Sequence, residues 1–183
     1  MLDKIRELVK KEAEDSDWKY HISVVVKYAK QLARILKVNE EIVELAALLH
    51  DIGRIKFSNE NHEITGVAEA EKIMKAHKYP LSVIGEVKHC VESHRGSKDV
   101  PPRTKLAKII ANADAMAHFD ILPVFFYSFW FTKNMTFEER FKWVESKIDR
   151  DWTKKITLPA AKKLMKDKYK AIKLVLDSTR QYI

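Results

Sequence analysis

The sequence predicts an all-α fold, a single-domain helical bundle of the whole chain, residues 1–183. Three observations predict it. Glycine is scarce, at four residues. No alternation of apolar and polar residues persists long enough to make a strand. Apolar residues instead recur at three- and four-residue spacing, between short segments rich in capping residues and proline.

The elements follow in order. A first helix is expected from about Leu2 to Glu14, closed by the break Asp15-Ser16-Asp17. A second runs from about Trp18 to Lys37. Its apolar positions are Val24, Val25, Tyr28, Leu32, Ile35 and Leu36, with Lys27, Lys30, Arg34 and Lys37 opposite. Asn39 caps a third helix through Ile52, with Gly53 as its stop. That helix is apolar on most sides from Ile42 to Leu49, so it should be the buried central element. The polar loop Ser58 to Asn61 leads to a helix from about His62 to Ala76. Pro80 opens another that ends near His94, stopped by Gly96. Pro101-Pro102 introduces a helix through about His118, and Pro123 interrupts the aromatic run that follows. Thr136-Phe137-Glu138-Glu139 reads as a capping box, with Phe137, Phe141, Val144 and Ile148 as the stripe behind it. A last helix runs from about Leu158 to Asp177 or beyond.

Composition narrows the chemistry. Lysine and arginine total 34 against 26 aspartates and glutamates, a formal net charge of +8. The positive charge is spread over several helices, with no basic stripe interleaved with aromatics. It favours anionic substrates in general and does not establish nucleic-acid binding, so nucleic acid is not the expected partner. The one cysteine, Cys90, excludes an intrachain disulfide and a cysteine zinc site, and fits a reducing cytoplasm. Any metal must therefore be held by imidazole and carboxylate. The apolar-rich run Phe119 to Phe131 carries Asp120 and Pro123. It is shorter than the roughly 20 residues of a spanning helix, so no membrane is expected. The N-terminus has no apolar signal core.

The seven histidines sort by helix face. At about 100° per residue, His21 falls within the apolar stripe of its helix, and a core-facing imidazole needs a partner for both nitrogens. His50-Asp51 ends the most apolar helix, where two adjacent polar groups are costly unless paired or metal-bound. His94 falls on the side of Val87 and Val91. His89 points about 140° away from it, so the two should not share a ligand set. Asp114 flanks the stripe Leu106, Ile110, Ala113 and Ala117, with Ala107 and Ala111 leaving room beside it. Any one of these alone is commonly a hydrogen-bonded core residue. Their joint order suits a divalent first-row metal. His77 and His89 read as surface residues. His118, four residues after Asp114, reads either as a donor behind that carboxylate or as an ordinary half-buried histidine.

The pattern His21, His50-Asp51, Asp114 resembles the HD-domain superfamily of metal-dependent phosphohydrolases, whose signature is His…His-Asp…Asp. The words Ala46-Ala47-Leu48-Leu49-His50-Asp51-Ile52-Gly53-Arg54 and Ile110-Ala111-Asn112-Ala113-Asp114-Ala115 agree with it. The likeness covers about Trp18 to His118, and residues 119–183 resemble the C-terminal extension of small stand-alone HD proteins. The resemblance implies that His21, His50, Asp51 and Asp114 bind a first metal. In di-metal branches His62 and His94 match the positions that bind a second, bridged by Asp51. The cofactor implied is one or two divalent ions, Mn, Fe, Co, Ni, Zn or Mg. The Gly-Tyr-Pro extension of the cyclic-dinucleotide phosphodiesterases is absent, since Arg95-Gly96-Ser97-Lys98 follows His94.

The expected activity is hydrolysis of a small phosphorylated compound, most simply a nucleotide, by water that a metal activates. Asp51 is placed as the catalytic carboxylate, taking the proton from the metal-bound water. Arg54 is expected to act in catalysis and to grip phosphate, with Lys56, Arg95 and Lys98 as further substrate contacts. Glu63 reads as a base, as a hydrogen-bond partner behind a metal ligand, or simply as a first-turn acid. The aromatic block Phe125 to Phe131 reads as core, as a homodimer face or as a base-stacking surface. Two alternatives use the same residues: a di-iron oxygenase, and a non-catalytic module that senses nucleotides or binds a partner.

Overall fold

The computed structural model of the chain describes residues 1–58, 60–95, 100–132 and 135–183, and only the backbone for 128–132. The described residues hold helices, turns and no strand. None of these helices is long and apolar enough to cross a membrane.

The amphipathic α1 (Leu2–Glu12) buries Ile5 and Val9 and packs on α4. A three-residue turn, α2 (Asp15–Asp17), leads into a π-helical turn over Trp18–Ile22, which continues as α3 (Ser23–Leu36). The segment expected as one regular helix therefore starts over-wide, with Ser23 N–H donating to Trp18 C=O. The buried face of α3 is Val25, Tyr28, Ala29, Leu32 and Ala33. Ile35, expected in the apolar stripe, is 50% exposed.

Asn39 caps α4 (Glu40–Leu49) by accepting from the N–H groups of Glu41 and Ile42. Val43 through Leu49 are all buried. Glu44 is carried into this core by its ion pairs with Arg6 and Lys30. The helix does not run on to Ile52. It ends at Leu49; His50 and Asp51 make a turn, and a short α5 (Ile52–Lys56) follows. Gly53 is accordingly no stop signal. It lies inside α5, where α6 (His62–Ala76) crosses it. A Cβ at Gly53 would lie 2.2 Å from the His62 carbonyl oxygen and 2.6 Å from the Gly66 nitrogen. Glycine is needed here for close approach of two backbones.

Next come α7 (Leu81–Ser93), then α8 (Lys105–Asp120), capped by Thr104 rather than started at the proline pair. α8 is buried along almost its whole length and packs against α3, α4, α7 and the C-terminal helix, so it shares the central place expected for α4. α9 (Leu122–Thr132) carries Pro123 in its first turn, where the missing N–H costs nothing. The Thr136-Glu139 capping box forms in both halves and starts α10 (Phe137–Arg150). Phe141, Val144 and Ile148 are buried there, whereas Phe137 is 45% exposed. A second π-helical turn, Asp151–Lys155, precedes α11 (Pro159–Arg180).

Polar contacts tie α11 and the residues just before it to α8 and α3. The buried Asn112 amide oxygen accepts from the N–H groups of Thr157 (2.9 Å) and Leu158 (3.0 Å). Tyr28 donates to Asp120 at 2.7 Å, and Lys168 of α11 donates to the same hydroxyl at 2.7 Å.

The Gly53 contact generates a prediction. Gly53→Ala drives a methyl group into backbone atoms that cannot yield as a side chain would, and should cost about 3 kcal/mol. A denaturant midpoint equal to wild type would show that α5 and α6 are not held this close.

Candidate metal centre

The site is assembled around one turn. The Asp51 backbone (φ −107°, ψ 14°) turns the chain out of α4 and leaves His50 and Asp51 facing the bundle interior. Asp51 is 5% exposed, and its two oxygens face different partners. Oδ2 lies 3.2 Å from His21 Nε2 and 3.7 Å from His50 Nε2. Oδ1 lies 3.3 Å from both His62 Nε2 and His94 Nε2. His21 and His50 approach each other at 3.2 Å through Nε2, and His62 and His94 at 3.1 Å. Asp114 places Oδ1 3.6 Å from His21 Nε2 and 3.5 Å from His118 Nε2.

Each ligand candidate is placed by its own element. His21 sits in the first π-helical turn and His62 opens α6. His94 caps α7, and Asp114 and His118 lie one turn apart on α8. Three sets each offer donor atoms within 4.8 Å of one another: His21, His50 and Asp51; Asp51, His62 and His94; His21, Asp114 and His118.

The donor set fits a cation. His50 Nδ1 is 2.7 Å from the Ala47 carbonyl and His94 Nδ1 is 2.6 Å from the Val91 carbonyl. A carbonyl only accepts, so both rings carry hydrogen on Nδ1 and present a bare Nε2 when neutral. Burial lowers the His50 imidazole to about 4, so it is neutral at pH 7. Burial alone would raise the Asp51 carboxyl. The surrounding imidazoles, His50 first and then His21, His62 and His94, outweigh it and hold Asp51 well below the usual carboxylate range. Asp114 behaves alike: burial is outweighed by Lys155, His118, His21 and His50. Bare imidazole nitrogens and ionised carboxylates facing one another are stable together when a cation lies among them.

Around this centre the expected cations are already partnered. Arg54 Nε is 2.8 Å from Asp51 Oδ2, and its Nη1 is 2.9 Å from Asp17. Lys56 pairs with Glu69 at 2.8 Å and Arg95 with Glu63 at 3.0 Å. Lys98 lies outside the described residues.

Residues 19–118 match the HD domain family. The chain belongs to that family. This HD-domain protein is also 32% identical over 114 residues to a tRNA (cytidine(56)-2'-O)-methyltransferase of Picrophilus torridus, covering 55% of this chain and 31% of that one. It is 37% identical over 99 residues to Ribonuclease Y of Symbiobacterium thermophilum, covering 53% of this chain and 17% of that one. The chain thus spans less than a third of the length of either relative. Among solved structures, Bacillus subtilis YpgQ in complex with ADP superposes with a TM-score of 0.75 at 18% identity, over 100% of this chain and 94% of that one. A predicted HD superfamily hydrolase from an uncultured Thermotogales bacterium gives 0.58 at 26% identity, over 81% and 85%.

The fold brings together all six residues that the HD resemblance singled out. Two other histidines differ from expectation. His77 and His89 are half-buried rather than surface groups: His77 Nδ1 is 2.9 Å from the Ile73 carbonyl, and His89 accepts from Arg103 N–H at 3.0 Å. As expected, His89 stands apart from the cluster of His94. The sequence reading missed Asp17, Lys147, Asp151 and Lys155. Lys155 Nζ is 3.3 Å from Asp114 Oδ2, and the fully buried Asp151 holds His118 Nδ1 at 2.7 Å. Their signal was a lysine-aspartate pattern resembling any solvated helix. Of the aromatic block, Phe125 packs its ring on His118 and Trp143, Phe126 lines an apolar cavity with Leu122 and Phe141, and Tyr127 is exposed. The side chains of residues 128–131 lie outside the described ones.

The depressed His50 pKa sets a pH dependence. The unfolded chain binds a proton at this histidine below about 6.5 and the folded metal-free chain does so only near 4. Stability of the chelator-treated protein should therefore fall as pH drops through that window. The urea midpoint should fall less in His50→Gln; an equal fall would remove His50 as the cause.

Proposed function

We propose that this protein is a divalent-metal-dependent phosphohydrolase acting on a small phosphorylated compound, most simply a nucleotide. The observation that carries the reading is the division of Asp51: one oxygen against His21 and His50, the other against His62 and His94. His21, His50, Asp51 and Asp114 would hold one cation, and Asp51, His62 and His94 a second. Divalent ions so held would neutralise charge on a phosphoryl group and lower the pKa of a water beside it.

The remaining work falls to the chain. Asp51 stays ionised through the neutral range and serves as the anchor between the two histidine pairs; so weak a base takes little part in carrying protons. Arg54, 22% exposed at its side chain, fixes Asp51 through Nε, and its Nη1 would exchange Asp17 for a phosphate oxygen. Lys56 and Arg95 would have to exchange Glu69 and Glu63 for a phosphate oxygen to reach the substrate. A shallow, open groove on the turn that carries His21 is lined by Asp15, Ser16, Trp18, Lys19 and Tyr20, and none of the candidate ligands lines it. The ADP-bound YpgQ shares the fold, and a nucleotide would be a natural first substrate to try.

Purified protein loaded with Mn²⁺ under anaerobic conditions should release phosphate or pyrophosphate from at least one nucleotide. Asp51→Ala should fall below about a thousandth of that rate and retain less metal, while His77→Ala stays at wild type. Turnover that needs dioxygen would replace hydrolysis by oxygenase chemistry. Tight nucleotide binding with no product would make the protein a sensor.

A further inference from the structure

His118 lies one turn beyond Asp114, outside the HD signature, and the nearer of its two carboxylate neighbours sets where its hydrogen sits. Its Nδ1 is 2.7 Å from Asp151 Oδ2. Asp151 is fully buried, and as a carboxylate it only accepts. Nδ1 therefore donates. Lys147 Nζ is 3.0 Å from that oxygen and 3.0 Å from Nδ1. Oδ2 serves both donors; the His118 hydrogen bond first, then the charges of Lys147 and Lys155, outweigh burial and hold the Asp151 carboxyl below its usual range. With the hydrogen on Nδ1, the neutral ring presents a bare Nε2.

That lone pair faces Asp114 Oδ1 at 3.5 Å, an oxygen that also lies 3.6 Å from His21 Nε2. The His21 and His118 rings are nearly parallel, at 9°, with centroids 5.8 Å apart. Three donor atoms thus converge within 4.8 Å of one another. The Asp151 bond ties α8 to the second π-helical turn but serves one nitrogen only. The other, buried as well, faces a carboxylate that has no hydrogen to give it, and a cation between them would satisfy both. A carboxylate holding the far nitrogen of an imidazole fixes its orientation and strengthens it as a ligand.

We propose that His118 is a further metal ligand, joining His21 and Asp114 in holding a divalent first-row cation, and that Asp151 is its positioning residue. This rests on the metal-centre reading above and extends it by one donor. It also gives Asp151, Lys147 and the second π-helical turn a part in metal retention.

The test is Co²⁺ titration of the metal-stripped full chain, followed by its visible absorption. Wild type is compared with His118→Phe, which keeps a ring, Asp151→Asn, and His50→Gln. His118→Phe should weaken one binding step at least tenfold and change its spectrum. Asp151→Asn should weaken the same step by about 10–100-fold. If both match wild type while His50→Gln binds weakly, the His118 proposal is overturned and the metal centre stands. If all three match wild type, the metal-centre reading falls and this proposal with it. Should the two new variants fail to fold by circular dichroism, anomalous diffraction from Co²⁺-loaded wild type decides. A peak about 2.1 Å from His118 Nε2 supports the proposal, and a peak only at more distant residues overturns it.

Discussion

The structure depends on keeping one buried carboxylate ionised. Asp51 lies inside the bundle against Arg54 and four histidines, an arrangement that is stable when a cation lies among them. Those partners come from separate elements, so the requirement at one residue dictates how the elements meet. α4 must break before His50-Asp51, or the pair would continue a regular helix. α6 must cross α5 at backbone contact, or His62 would not reach Oδ1. Gly53 and Gly66 allow that crossing, and no larger residue would fit at Gly53.

The two π-helical turns serve the same centre from opposite ends of the chain. The first presents His21, and the second brings Asp151 and Lys155 beneath Asp114 and His118. A widened turn shifts every following side chain by about 100° relative to a regular helix. That shift aims a polar residue inward without disturbing the apolar face on either side. The C-terminal elements consequently form one wall of the centre: Lys147, Asp151 and Lys155 set the charge around His118 and Asp114.

Much of this was legible in the sequence where a local rule governed. Asn39 and Thr136 cap their helices as their side-chain chemistry requires, and α6 occupies the range its periodicity marks. His21, His50, Asp51 and Asp114 were legible because imidazoles and carboxylates on apolar helix faces are costly unless something inside the bundle binds them. The failures were those of assuming regular geometry. Gly53 read as a helix stop because glycine is common there, whereas its role is set by a neighbour thirteen residues on, Gly66. Ile35 and Phe137 read as core from periodicity, yet the neighbouring helices leave them exposed.

The sequence by itself determined the helical class, the donor types and the exclusion of thiolate, because residue identity and periodicity are local properties. Only the tertiary structure decided that Asp51 divides its oxygens between two histidine pairs, that Arg54 is bound by two carboxylates, and that Asp151 stands behind His118. Those are distances between residues far apart in the chain. They follow from how helices cross and where two turns widen, and no pattern along the sequence carries that information.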